Sequence, residues 1–388
     1  MLPVDLPGTV RDALLAPLVD HHCHGVRRDD LSRAQFELLS GEGGSPAPPG
    51  TTHFDTPFGA AVRRWCAPLL DLEPHAPPAV YLARRTELGA AEVNRRLLAG
   101  AGVVAFLVDA SPDSHEPGAG DLEVLTAAEM GRHGGAAADE LVRIERIERD
   151  VAATAELAVD YLDNLGEELT ARAARAVGLK TVIGALCGLD FDPARPARGA
   201  VIAAANRRLA DPKVPLTDHV LLRYLLWSAV DVARERGLPV QFHTGFGGQA
   251  GEPHRADPAR LSGFAGALQP LGVPVILLHC YPFHRQAAHL AGVFPHVYVD
   301  VGLALPHGAA AATRVMDELL ELAPFHKQLF SSGCRGLAET GYLGALTYRR
   351  ALARALGSRI AAGEWSTADA ARIAHMIGSG NARRIYRL

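Results

Sequence analysis

The chain has 388 residues, 48% hydrophobic and 21% charged, with a formal net charge of −4. That balance supports a large core and excludes a disordered chain, and 6% aromatics with a negative net charge give neither the basic field nor the stacking platform of a nucleic-acid binder. No apolar run reaches the ~18 residues that span a bilayer, the N-terminus lacks the basic and apolar regions of a signal peptide, and five cysteines without a spacing framework suit a reducing compartment, so a cytoplasmic protein with no membrane partner is expected.

In chain order, short apolar β-branched runs alternate with helical patterns. The predicted strands are Leu18 to Cys23, Val103 to Val108, Val142 to Ile147, Thr181 to Leu186, Pro239 to His243, Val273 to His279, His296 to Val301 and Gln328 to Ser331. Eight such runs point to an α/β chain, a (β/α)8 TIM barrel occupying residues 1–388 as a single domain. Residues 25–100 read as a helical insertion after the first strand, a cap in which Trp65, Leu69 and Leu70 cover the barrel mouth and Asp55, Arg63 and Arg64 contact a charged substrate. Gly41 to Pro57 is a loop by composition, as is Ser111 to Gly120 after the second strand. Asp218 to Arg236 is the clearest helix, capped by Asp218 and stopped by Gly237 and Pro239; there is no internal repeat.

The first strand ends in Val19-Asp-His-His-Cys-His24. A strand period of two puts Asp20, His22 and His24 on one face, where two imidazoles about 7 Å apart along the chain can share one Zn²⁺ or similar ion. Two later strands repeat the design, ending at His243 and at His279. In a parallel barrel the chemistry sits at the C-terminal strand ends, so three strands deliver four histidines to one rim. Cys23 and Cys280 alternate with the inward histidines and are expected to pack away from the metal.

The chain resembles the amidohydrolase superfamily, specifically the amidohydrolase-2 group and the amidohydrolase domain found beside glutamine synthetase in fungal developmental regulators and nodulin-like proteins. The motifs that carry the likeness are Val19 to His24, Val177 to Thr181, Gln241 to Gly247, Leu277 to Pro282, Leu329 to Ser332 and Asn381 to Tyr386. The resemblance implies one divalent metal ion, zinc, held by His22, His24 and His243, with His279 beside the reacting group. A small-molecule substrate and a homo-oligomer are also expected.

Two positions depart from the family pattern. Where it ends strand eight in Ser-Ser-Asp, with the Asp as metal ligand and general base, this chain reads Ser331-Ser332-Gly333; and Leu186 stands where an arginine is usual near the end of strand four. Candidates to replace the missing carboxylate are Cys334, Asp300 at the end of strand seven, Glu145 and Glu148 at the end of strand three, and Glu339 in the loop after strand eight. Lys180 is expected at the start of the fourth strand, six to eight residues and around 20 Å from the rim, too far to bridge a second metal.

The expected function is therefore metal-dependent hydrolysis of a C–N bond of amide, aminoacyl or γ-glutamyl type. A silenced binding or scaffolding protein is the alternative that Gly333 favours, and a non-hydrolytic, decarboxylase-like member is a third, although the family decarboxylases also use the strand-eight Asp.

Overall fold

Among the described residues seven strands alternate with helices along the chain: β1 (Leu18–His24), β2 (Val103–Asp109), β3 (Ala137–Arg143), β4 (Gly178–Thr181), β5 (Val240–His243), β6 (Val275–Leu278) and β7 (Val297–Val299). The structure is a computed structural model and describes residues 2, 4–41, 43–110, 123–247 and 252–388, so the loop expected at 111–120 lies outside the described residues. The chain divides into two compact units, Met1–Asp139 with Asp300–Leu388, and Glu140–Val299.

In the first unit β1 pairs in parallel with β2. Its other edge is taken by residues 328–336, which carry no strand of their own yet complete a backbone ladder. His21 N donates to Phe330 O at 3.2 Å, Gly333 N to His22 O at 3.1 Å, His24 N to Cys334 O at 2.7 Å and Arg27 N to Gly336 O at 2.9 Å. Residues 328–331, expected as the eighth strand, thus form no regular strand. Val10, Leu14, Leu18, Val19 and Leu356 are among the side chains buried in this unit's core. Arg349 ties loops together by donating to the carbonyls of Leu14, Ala16, Ala101 and Gly102. Residues 25–100 carry the helices Arg33–Ser40, Pro57–Ala61, Pro78–Leu88 and Ala90–Gly100, and Phe36 stacks on Phe54 at 5.4 Å.

In the second unit β3 to β7 pair in chain order, every neighbour parallel. Phe264 sits among Phe191, Trp227 and Phe242, with ring centroids 5.2 to 6.0 Å apart. The helix His219–Arg236 starts as expected, with Asp218 Oδ1 accepting from Val220 N at 2.9 Å and Leu221 N at 3.1 Å.

Two strand predictions here are corrected. Residues 142–147 do not form one strand, because β3 stops at Arg143 and a helix runs from Ile144 to Ala152. Ile144, Ile147 and Val151 recur at helical spacing and are buried, so the 3.6-residue period overrides the local β-propensity. Residues 181–186 likewise leave the sheet after Thr181 and enter the short helix Ile183–Cys187. The Glu145 carboxylate enforces that turn, accepting from Val182 N at 2.9 Å and from the Thr181 hydroxyl.

Candidate metal centre

The C-terminal half of β1 is irregular. Asp20 pairs with Phe106 and Cys23 with Val108, so one extra residue of β1 is accommodated between them. Such a bulge breaks strict alternation and re-aims side chains. Asp20 accepts from Ser332 N at 2.9 Å and from Ser332 Oγ at 2.5 Å, and burial still pushes its carboxyl up to about 6. His21, which a period of two left off the functional face, bonds Asp300 Oδ2 through Nε2 at 2.8 Å and Tyr386 OH through Nδ1 at 3.1 Å. His22 and His24 meet edge to face with ring centroids 5.1 Å apart. His24 Nδ1 lies 3.8 Å from Asp109 Oδ2 at the end of β2, an ion-pair distance rather than a hydrogen bond.

Three of the candidates for the missing base, Asp300, Cys334 and Glu339, lie within this unit. Asp300 has both oxygens engaged, Oδ2 also accepting from Ser331 Oγ at 3.2 Å and Oδ1 from Gly302 N at 2.9 Å. It is fully buried and organises the turn behind β1. Cys334 is buried with its Sγ 3.8 Å from His24 O, and burial, reinforced by Asp20 and Glu339, pushes its thiol well up. It therefore packs as a neutral thiol. Glu339 is not in a loop but in the first turn of the helix Ala338–Ala361. Its Oε1 accepts from Tyr81 OH and Arg85 Nε, each at 2.9 Å, both on the helix Pro78–Leu88. Gly333 has φ +60°, a left-handed conformation that glycine takes without strain. Arg63 is turned inward to the carbonyls of His75 and Ala76, Trp65 is held between Arg64 and Arg350 at 4.5 Å each, Leu70 is buried, and Asp55 is exposed.

In the second unit His243 ends β5, and its ring centroid lies 5.0 Å from that of His279, just past β6. His279 has φ +66° and Cys280 φ +22°, and non-glycine residues in that region concentrate where structure over-determines them. Gly245 at φ +58° lets the two turns meet, since a Cβ there would stand 2.5 Å from Tyr281 O. Thr244 Oγ1 donates to Leu278 O at 2.7 Å, and Cys23 and Cys280 are both fully buried. Glu148 is bound by Arg208 Nε at 2.7 Å and Tyr161 OH at 2.9 Å, which fixes it as structural. Glu145 is lifted above the ordinary carboxyl range by burial. Lys180 is the third of the four residues of β4, buried opposite Gln241, so the argument that it starts its strand far from the rim does not hold. Leu186 is half-buried in the helix after β4.

Each unit thus brings together one imidazole pair, and among the described residues neither unit gathers three His, Cys, Asp or Glu side chains into a ligand set. Sequence reasoning found the four histidines but missed His21, Arg27, Tyr81 and Arg85. No spacing signal marks His21, Tyr81 or Arg85, because their partners lie far away in the chain.

This chain belongs to the amidohydrolase family, whose model matches residues 19–388. It is 29% identical over 223 residues to protein fluG of Emericella nidulans, an alignment that takes in 55% of this chain and 26% of that protein, so the chain spans about a quarter of that relative's length. In fold it is similar to a crystal structure assigned as a metal-dependent hydrolase from Lactobacillus casei, with TM-score 0.81 and 23% identity over 99% of this chain and 98% of that one. It is similar, more distantly, to uronate isomerase from Thermotoga maritima, with TM-score 0.65 and 12% identity over 97% of both chains. Among the described residues no helix is long and apolar enough to cross a membrane.

Proposed function

We propose that this chain is a metal-dependent hydrolase of a C–N bond, of amide, aminoacyl or γ-glutamyl type, in a small molecule. The observation that carries the reading is that parallel strands end in close imidazole pairs, His22 with His24 and His243 with His279. A donor set of neutral imidazoles suits zinc. His22, His24 and His243 would hold the ion, and His279 would orient water or substrate. The ion would polarise a carbonyl and lower the pKa of a bound water. Asp109 stands 3.8 Å from His24 Nδ1, and the His21–Asp300–Ser331 cluster fixes the backbone on which both ligands would stand.

Gly333 favours a second reading, in which the site binds without hydrolysis or carries out non-hydrolytic chemistry, since no side chain at 333 can accept a proton. The likeness of fold to uronate isomerases is compatible with it. The experiment is a screen of zinc-loaded protein against N-acyl, aminoacyl and γ-glutamyl amides, with chelator-treated protein as control. Turnover lost on chelation and restored by zinc supports the hydrolase. Tight ligand binding with no turnover supports the second reading.

A further inference from the structure

Arg27 is the buried cation of the first unit whose hydrogen-bonding groups are left over. Its side chain is 7% exposed, and Nε and Nη1 are fully buried with no hydrogen-bond partner among the described residues. The third nitrogen, Nη2, stands 3.8 Å from Oδ2 of Asp29, an exposed side chain and too distant for a hydrogen bond. Three other buried or half-buried arginines have partners among the described residues. Arg85 has Glu339, Arg208 has Glu148 and two carbonyls, and Arg349 has four carbonyls. Leaving a buried charged donor unpaired is costly, and such exceptions call for an explanation.

The backbone that presents Arg27 is fixed on both sides. Arg27 N donates to Gly336 O at 2.9 Å, Asn94 Nδ2 donates to Arg27 O at 2.8 Å, and Leu125 N donates to Val26 O at 2.8 Å. The guanidinium is therefore held by its own main chain and, at its head, only by the loose 3.8 Å ion pair of Nη2 with exposed Asp29. Arg27 follows His24 by three residues, a span of at most about 10 Å of extended chain. A cation so placed, rigid in its backbone and unmatched at its donors, is preorganised for a planar oxyanion, which a guanidinium pairs through two parallel N–H donors.

We propose that Arg27 is the specificity-determining contact for a carboxylate carried by the substrate, so that the site takes anionic N-acyl compounds in preference to neutral ones. This rests on the reading of the site as a hydrolase of small amides and names the class of its substrate.

The test is titration of zinc-loaded wild type, Arg27→Met and Arg27→Lys with N-acetylglycinate, its neutral counterpart N-acetylglycinamide, and inorganic phosphate, followed by calorimetry. N-acetylglycinate is expected to bind wild type about 10- to 100-fold more tightly than the neutral amide, and to lose that advantage in both variants while their zinc content stays at the wild-type value. Ligand-free Arg27→Met is expected to melt higher than wild type, because an unmatched buried charge is removed; a merely structural arginine would give a lower melting temperature. Should Arg27→Met fail to fold, Arg27→Lys, which keeps the charge without the fork, still carries the binding test. Equal affinity for the charged and neutral probes, an unchanged preference in the folded variants, or an Arg27-dependent preference for phosphate overturns the proposal. Absence of amide turnover by wild type, with carboxylate binding intact, sinks the hydrolase reading instead and leaves Arg27 as an anion site.

Discussion

Breaking the Arg85–Glu339 pair separates a structural glutamate from a catalytic one. Glu339 is fully buried and Arg85 nearly so, with the Nε–Oε1 bond at 2.9 Å and the Tyr81 hydroxyl on the same oxygen. Arg85→Met removes the counter-charge and strands a buried carboxylate, which typically costs about 3–5 kcal/mol; Glu339→Gln strands the guanidinium and should cost a comparable amount. The double variant leaves no unpaired charge, so its loss should fall well short of the sum, giving a coupling energy above about 2 kcal/mol. Urea unfolding of wild type, both single variants and the double variant closes the cycle. Additive losses, or a Glu339→Gln protein of wild-type stability that has lost turnover, would refute the anchoring role and return Glu339 to the chemistry.

Gly333→Ala should cost about 1–2 kcal/mol, because φ +60° forces a Cβ into the left-handed region, with Gly333→Asn milder; equal melting temperatures for Ala and wild type would contradict the strain argument. Gly333→Asp should raise amide turnover by about 10²- to 10⁴-fold if only the proton acceptor is missing, and a slower enzyme would show that another group already does that work. At the surface, the Arg28 bonds and the Thr126 capping box hold Glu129 at about 2, below the ordinary glutamate value of 4.5. The stabilisation is therefore complete above about pH 4.5 and is lost as pH falls toward 2, so Glu129→Gln should flatten acid unfolding in that window and nowhere else. An unchanged acid limb would count against the pairing.

The histidine pattern was legible because strand ends carry it locally: His22, His24, His243 and His279 are recognisable from the apolar run that precedes each. Element boundaries were less so. Ile144 to Val151 reads as β-branched over a short window and as an amphipathic helix over a longer one, and the longer period won. That error put Glu145 and Glu148 at a strand end although they lie in a helix, while starting the fourth strand too late in its neighbourhood put Lys180 at the wrong end of β4. The partners of Glu339, Asp300 and His21 lie up to 365 residues away in the chain, so only tertiary structure could show that the first is anchored by Arg85 and the second by His21. The bulge in β1 is equally invisible, since it depends on the register with β2 and not on composition.

Zinc stoichiometry and affinity test the central claim most directly. Equilibrium dialysis of metal-stripped protein against Zn²⁺ should give about one ion per chain for wild type, with His22→Ala and His243→Ala each weakening binding steeply, because a structural or catalytic zinc needs at least three protein ligands. Wild type that retains less than about 0.1 ion per chain, or a His243→Ala variant that binds zinc as tightly as wild type, would contradict the account.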